Sequence, residues 1–296
     1  MSTLAQIRET LRGSQGSDGG LGARAGTPSR TETTALAALA LADDPDGHTA
    51  LAGTLRWLNE AQAEDGSWPV GSDLDDRSWS SSLAVLALAK LSPVDDGVGQ
   101  GARWLTAQVG RAPGWRARLI QWLRSDDRIL DQDPGLQGWP WVAGASSWVE
   151  PTACALLALK ALRPELPRRA EARIEEGERL VYDRMCTGGG WNYGNSVVFD
   201  EALEPYPDVT AIALLALQDR AGEEAHRLSL GALRHLLEKT TSGLALSWAS
   251  LCLDVHGQPS RALRERIEGS FRARGFLGDV RTLALASLAL DGGAAR

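Results

Sequence analysis

Six apolar helical segments repeat along the chain, and they constrain its fold more than any other feature. They read ETTALAALAL, WSSSLAVLAL, EPTACALLAL, DVTAIALLAL, LALSWASLCL and RTLALASLAL, and they begin at Glu32, Trp79, Glu150, Asp208, Leu244 and Arg281. Because these segments are apolar on all sides, each must be buried on all sides. An amphipathic helical pattern precedes each of them, over residues 2–12, 48–61, 97–108, 164–185, 222–239 and 259–273. Strands are hard to place anywhere, because β-branched runs of period two are absent.

This pairing of apolar and amphipathic helices predicts an all-α fold. We expect a single (α/α)6 toroid, in which six inner helices contact both the six outer helices and the interior of the ring. An open superhelical solenoid is the alternative, but solenoids usually need polar capping repeats. The last unit, TLALASLAL, is as apolar as the central ones, which favours a closed ring. No clear linker separates the units, so we predict one domain over residues 1–296.

Composition argues against several classes of function. The net charge of −7 argues against a nucleic-acid surface. No run approaches eighteen apolar residues and the first residues do not resemble a signal peptide, so we expect a cytoplasmic protein without a membrane span. The three cysteines have no paired spacing, which is typical of reduced thiols. No CxxC or HxxxH spacing occurs, so a structural zinc ion is not expected.

Several connections between helices share a Gln–Gly–Trp signature. Gln62 ends a helical pattern and is followed by EDGSW, and Gln15 is followed by DGGLG. Glutamine at a helix end can bond to unpaired carbonyl groups, glycine allows the backbone to reverse, and tryptophan can pack under the loop. The tryptophans therefore have a structural interpretation, and lining a ligand cavity is the alternative.

The segment RWLNEAQAEDGSW, from Arg56 to Trp68, resembles the QW repeat of squalene–hopene cyclases and related triterpene cyclases. A looser form of this repeat occurs in the β subunits of protein prenyltransferases. The resemblance covers nearly the whole chain, but only one of the two helical domains of a full triterpene cyclase. It implies the α/α toroid and a class II-type terpene cyclase, which protonates and cyclises a linear isoprenoid in a central aromatic cavity. It implies no metal and no cofactor.

In these cyclases the proton donor is an aspartic acid in a DxDDTA motif, and it must be buried so that its pKa is raised. This chain contains DLDD at Asp73 to Asp76, which makes Asp75 a candidate. However, DLDD lies about one helical turn before the apolar helix. A solvated acidic loop or a helix-capping cluster is therefore the alternative interpretation of this motif.

Superposing the inner helices on their Thr-Ala pairs places Glu32, Glu150 and Asp208 at the position of the family's proton donor. The adjacent aspartate of the family motif is missing at all three places. A carboxylate at the start of a helix has its pKa lowered by the helix dipole, and only strong desolvation could reverse that effect. Helix capping is the alternative role. If the ring closes, all three carboxylates face the same mouth.

The resemblance also implies aromatic residues that contact substrate. The candidates are Trp139, Trp141, Trp148, Trp191 and Tyr193. A non-catalytic toroid that binds an isoprenoid or a peptide is the alternative function. A protein-prenyltransferase-like subunit is a further alternative, but it would need zinc bound by Asp, Cys and His. Asp183 and Cys186 mimic only the first pair of that set.

An insertion over residues 115–137 interrupts the repeat. Residues 115–124, WRARLIQWLR, predict an amphipathic helix with a tryptophan-rich face and three arginines. Such a helix could contact a membrane surface peripherally, form a lid, or pack on the ring.

Overall fold

Twelve α-helices lie within residues 1–92, 96–112, 132–163, 166–198 and 201–292, which are the residues that the computed structural model of the chain describes. The six amphipathic helices are α1 (Thr3–Gly13), α3 (His48–Ala61), α5 (Asp96–Ala107), α7 (Arg168–Asp183), α9 (Glu224–Lys239) and α11 (Arg261–Arg274). The six apolar helices are α2 (Thr31–Leu41), α4 (Ser80–Leu91), α6 (Val149–Lys160), α8 (Pro207–Ala216), α10 (Gly243–Val255) and α12 (Val280–Asp291). Each element lies where the repeat predicts it.

The apolar helices form a closed ring. In chain order each apolar helix packs on the next, from α2 through α4, α6, α8 and α10 to α12, and α12 packs back on α2. Each amphipathic helix packs outside this ring against an apolar neighbour, as α3 does on α2 and α7 does on α6. The all-α toroid prediction is therefore confirmed, and the open solenoid is excluded.

A hydroxyl group near the start of four inner helices explains part of the repeat. Thr34, Ser81, Thr152 and Thr210 each accept a hydrogen bond from a backbone N–H of the preceding loop, at 2.9 to 3.0 Å. Three of the four N–H groups belong to tryptophans, Trp68, Trp139 and Trp191. The hydroxyl thus fixes each glycine–aromatic loop on the helix that follows it, because a buried N–H needs a partner.

The glutamine of the loop signature bonds to backbone carbonyls of the loop and of the first turn of the next outer helix, rather than to those at the end of its own helix. Gln62 Nε2 donates to the carbonyl of Gly66 at 3.0 Å and to that of Gly97 at 2.8 Å. Gly66 has a φ of 88°, a conformation that favours glycine. Gln15 makes the same two kinds of bond, to Gly19 and Ala50.

Two short antiparallel hairpins lie in loops before inner helices, and the sequence pattern did not reveal them. Strand β1 (Pro69–Gly71) pairs with β2 (Leu74–Arg77), and β3 (Val197–Val198) pairs with β4 (Glu201–Ala202). Their strands have two to four residues, which is too short for a period-two pattern.

The inserted segment lies largely outside the described residues, which resume at Gln132. The helix expected at 115–124, and its membrane or lid role, therefore stay predictions. Among the helices of the described ranges, none is both long enough and apolar enough to cross a membrane.

Candidate functional site

The amino-terminal ends of the inner helices carry a cluster of charged residues. Glu32, Glu150, Asp208 and Arg281 are each the second residue of their helix, in α2, α6, α8 and α12. Glu32, Asp208 and Arg281 are all close enough to act on the pKa of Glu150. The structure thus brings together three of the four predicted acidic residues, at the end of the ring that we call the mouth.

Glu32 is paired with the arginine of this cluster. Its Oε1 accepts a hydrogen bond from Arg281 Nη1 at 2.8 Å, and its side chain is 21% exposed. Burial raises the pKa of Glu32, and the charge and hydrogen bond of Arg281 oppose that rise. Asp279, which caps α12 through the N–H of Thr282, adds a further negative charge beside Arg281. The single guanidinium is therefore engaged by two carboxylates.

Glu150 has no hydrogen-bond or ion-pair partner among the described residues. Burial and the negative charges of Glu32 and Asp208 together raise its pKa to about 7, although the charge of Arg281 opposes the rise. Desolvation and like charge therefore outweigh the helix dipole, which favours the ionised form. Near neutral pH this carboxyl group is a mixture of acid and anion, as general acid–base catalysis requires.

Aromatic side chains flank the mouth in two pairs. Trp79 and Trp141 stack edge to face with ring centroids 5.0 Å apart, and Tyr193 and Tyr206 lie at 5.4 Å. Burial raises the pKa of Tyr193, and Asp208 and Glu150 add to the effect, which places this tyrosine beside the acidic cluster. The predicted candidates Trp141 and Tyr193 thus lie at the mouth.

Backbone hydrogen bonds join the loops that carry these aromatic residues. Trp79 N–H donates to the carbonyl of Trp141 at 3.3 Å, and Val149 N–H donates to the carbonyl of Tyr193 at 2.9 Å. Trp148, the third predicted candidate in this region, immediately precedes α6 and packs on Gly194. The rim of the mouth is therefore a connected structure rather than a set of independent loops.

A cavity of about 150 Å³ opens beside the Glu32–Arg281 pair. Its wall includes Trp79, Val70 and Asp279. One turn further along the inner helices, on the faces that carry the charged residues, lie Leu36, Cys154, Ile212 and Leu285, all at most 2% exposed. Burial, with Glu150 and Glu32, raises the pKa of Cys154 well above its ordinary value, so Cys154 lies beneath the cluster. One helical turn inside the charged cluster, the interior of the ring is therefore filled by side chains.

Trp139 and Trp191 do not line the mouth, contrary to the prediction. They are 2% and 0% exposed. Their indole N–H groups donate to backbone carbonyls of outer helices, at Leu105 and Val181. Arg173 also lies over the ring of Trp139 at 4.3 Å. Both tryptophans are thus part of the packing between loops and outer helices, as the structural interpretation expects.

Asp75 lies apart from the other three acidic candidates. It is in strand β2, its side chain is 83% exposed, and it forms an ion pair with Arg77 at 3.0 Å. An exposed carboxylate lacks the desolvation that a proton donor of this class needs. The DLDD motif is therefore a solvated acidic hairpin, and the prediction of Asp75 as the acid is corrected.

The residues considered for zinc do not form a ligand set. Within the part of the chain that the structure describes, no group of three His, Cys, Asp or Glu side chains could hold a metal ion. Asp183 is paired with Arg184, and Cys186 is 2% exposed.

Sequence reasoning missed the importance of Arg281, Trp79 and Tyr206. Arg281 and Trp79 occupy the proton-donor position in the superposed helices, and this alignment was a usable signal. Tyr206 directly precedes α8, as Trp148 precedes α6, but only the folded loops show that its ring meets Tyr193.

No protein-family model and no curated protein sequence match the chain. Solved structures share its fold at low identity. The type II terpene cyclase MstE from Scytonema is 13% identical, with a TM-score of 0.61 over 99% of this chain and 96% of that chain. An α-amylase from Clostridium perfringens is 10% identical, with a TM-score of 0.65 over 98% and 97%. The ent-copalyl diphosphate synthase from Streptomyces platensis is 17% identical, with a TM-score of 0.55 over 89% of this chain and 50% of that longer chain.

At identities this low, the likeness shows the fold alone. The terpene cyclases and the α-amylase also show that one toroidal architecture carries more than one chemistry. The chain therefore has the terpene-cyclase-like α/α toroid fold.

Proposed function

We propose that the chain is a compact class II-type terpene cyclase, in which Glu150 protonates a linear isoprenoid at the mouth of the ring. The observation that carries the proposal is the state of Glu150: it lies beside Glu32 and Asp208, lacks a paired cation among the described residues, and has a pKa of about 7. An isoprenoid substrate is also what one MstE structure contains, in the form of geranylgeranyl dihydroxybenzoate.

The neighbouring charges give the carboxyl groups different roles. Arg281 favours the ionised form of Glu32, whereas Glu150 has no paired cation among the described residues, and we therefore assign the donated proton to Glu150. Transfer of this proton to one alkene carbon forms a C–H bond and leaves a carbocation on the other carbon. Attack by a second alkene closes the ring, and a carbon next to the final cation then gives up a proton to water, which ends the reaction. Solvent then protonates Glu150 again.

The aromatic rim supports this chemistry. Tyr193 lies beside the carboxylates, Trp141 packs on Trp79 in the wall of the cavity, and Trp148 directly precedes α6. Ring faces attract positive charge, most strongly when water is excluded. The carboxylates Glu32 and Asp208 favour the same cation. The proposed site therefore combines a proton source with groups that stabilise the charge that the proton creates.

Product analysis tests the proposal. The purified chain is incubated with geranyl, farnesyl and geranylgeranyl diphosphates and with squalene, and extracts are analysed by gas chromatography and mass spectrometry. We expect a cyclic product, and we expect Glu150→Gln to reduce its rate by about 10² to 10⁴-fold, the usual contribution of a general acid. Asp75→Asn is the matched control and should leave the rate unchanged. An unchanged rate in Glu150→Gln would exclude this donor.

A second candidate function is a toroid that binds an isoprenoid without converting it. The packed layer of Leu36, Cys154, Ile212 and Leu285 favours it, because a long chain undergoing cyclisation needs a deep enclosed cavity. Saturable quenching of tryptophan fluorescence by farnesol, without product from any substrate, would support this binder. Turnover of any substrate would exclude it.

A further inference from the structure

His226, which is buried, and His256, which is half-buried, pack against each other at the end of the ring opposite the mouth. His226 is the third residue of outer helix α9, and His256 directly follows inner helix α10. Their ring centroids are 5.7 Å apart with an angle of 27° between the ring planes. His226 is fully buried. The pair joins the inner and outer layers of the ring.

The ring nitrogens of both histidines are buried, and no hydrogen bond of good geometry pairs them with another described residue. The backbone carbonyl of Leu217 lies near enough to accept a weak hydrogen bond from the His226 ring, which acts to raise the pKa of His226. Unpaired buried polar groups are rare in folded proteins, and each one calls for an explanation such as an ion or a water molecule. An ion between the two rings would pair one nitrogen of each ring and leave the other nitrogen of His226 to the carbonyl of Leu217.

We propose that His226 and His256 form a binding site for a late first-row transition-metal ion, such as zinc or monovalent copper. Imidazole nitrogen is a preferred ligand of these ions. Two imidazoles that bind one ion at about 2.0 Å have ring centroids about 5 to 6.3 Å apart, for ligand angles from tetrahedral to linear. The observed separation lies inside this range. Because no third side-chain ligand is present in the described part of the chain, the ion keeps open positions for water.

The protonation state and the surrounding charge both suit a cation. Burial lowers the pKa of both histidines, and His226 lowers that of His256 further, so both rings are neutral and can offer a lone pair at pH 7. Glu223 and Asp219 favour positive charge at His226, whereas Lys160 opposes it. The site is independent of the carboxylate mouth, so it can be present whether or not the chain is a cyclase.

Metal titration of the chain, prepared without a histidine tag, tests the site. Zinc and monovalent copper are added in separate titrations that measure stoichiometry and affinity. We expect one ion per chain for at least one metal. His226→Gln and His256→Gln should each weaken binding by about tenfold or more. His235→Gln is the matched control, because His235 lies on the same helix with a side chain that is 75% exposed.

Imidazole NMR on the unsubstituted chain avoids reliance on variants of buried residues. The chain has four histidines, so each ring can be followed in nitrogen–proton correlation spectra. The proposal expects the added ion to shift His226 and His256 and to leave His48 and His235 unchanged. The proposal is overturned if no ion binds at one equivalent, if the two buried rings do not shift, or if His235→Gln loses as much affinity as the other variants.

Discussion

The two ends of the ring use charged residues in opposite ways. At the end opposite the mouth, where the inner helices finish, Lys160 Nζ lies 2.6 Å from Glu178 and 2.5 Å from Asp219, and it donates to the carbonyl of Ala216. Arg163 and Arg220 complete the pairing of these carboxylates. At the mouth, Arg281 pairs with Glu32, lies 3.8 Å from Asp279 and acts on Glu150 only through its charge. The guanidinium of Arg30 lines the same cavity but is paired with Asp73.

This difference separates a structural network from a site that can exchange protons. Burial acts to raise the pKa of Asp219, but the hydrogen bond and charge of Lys160, together with Arg163, bring it below its ordinary value. Burial also acts on Glu150, and no cation is paired with it, so its pKa rises to about 7. Asp219 is also the more exposed group, with a side chain that is 38% exposed, but the presence of paired cations at Asp219 and their absence at Glu150 decide the direction of each pKa shift.

Removing Lys160 should have the largest effect on stability. Lys160→Met leaves Glu178, whose side chain is 6% exposed, without its closest cation. Loss of one partner of a buried pair costs about 3 to 5 kcal/mol. Because Arg220 still pairs with Glu178 and Arg163 with Asp219, we expect the free energy of unfolding in urea at pH 7 to fall by the lower end of this range, about 3 kcal/mol. Arg227→Met is the control, since Arg227 and its partner Glu224 are 72% and 65% exposed, and it should cause no measurable change. Equal stability of the two variants would contradict the structural role of the network.

Replacing Glu150 by a neutral residue should stabilise the fold instead of destabilising it. Its pKa is about 7 in the fold and 4.5 in the unfolded chain, so the folded state holds the proton more tightly. Stability therefore falls as pH rises from about 4.5 to 7, and the full penalty is present above pH 7. Glu150→Gln should raise the free energy of unfolding at pH 8 by up to about 3 kcal/mol, and by much less at pH 4.

The pH profile of the Glu150→Gln variant decides between desolvation and a general surface effect. Urea unfolding is measured from pH 4 to pH 8 for this variant, for Asp75→Asn and for the unsubstituted chain. Asp75 is exposed, so its variant should follow the unsubstituted profile. If Glu150→Gln is destabilised at pH 8, the ionised carboxylate has a stabilising partner and the assignment of the acid is wrong.

Removing Arg281 should cause a smaller loss of stability than removing Lys160. Arg281→Gln takes away the hydrogen bond to Glu32 and the cation that opposes the pKa rise of Glu150. A hydrogen bond to a charged group contributes about 1.5 to 3 kcal/mol, so the free energy of unfolding at pH 8 should fall by about 2 kcal/mol. The loss should diminish below pH 4.5, where the carboxyl groups are protonated in both states. A carboxyl infrared band that titrates at higher pH than in the unsubstituted chain would locate the effect at the mouth.

The sequence could predict the fold because the fold depends on periodic burial. The inner helices repeat an apolar pattern from Thr31 to Asp291, because each of them is buried in the same kind of environment. It could also predict that Glu32, Glu150 and Asp208 meet, because equivalent positions of a closed repeat lie at the same end of the ring.

The individual roles could not be predicted, because they depend on contacts between distant segments. Glu32 and Arg281 are 249 residues apart, and only ring closure makes them a pair. Trp139 and Trp141 are neighbours in the chain, yet one is buried against an outer helix while the other meets Trp79 at the mouth. The residue type alone cannot distinguish Asp75 from Glu150, because both are carboxylic acids and they differ in their exposure to water.

The effect of salt on stability should be the smallest of the expected differences between the two ends of the ring. Above pH 7 the mouth holds more carboxylates than cations, so their repulsion should weaken as the Debye length falls from about 10 Å at 0.1 M to 3 Å at 1 M. The paired network at Lys160 should gain nothing from this screening. We expect 1 M NaCl at pH 8 to stabilise the unsubstituted chain by a few tenths of a kcal/mol more than Glu150→Gln. The comparison between the two proteins removes the effect of salt on the rest of the surface, which they share. The same comparison at pH 5 should show no difference, because Glu150 is then protonated, and a difference that persists at pH 5 would mean that its charge is not the cause.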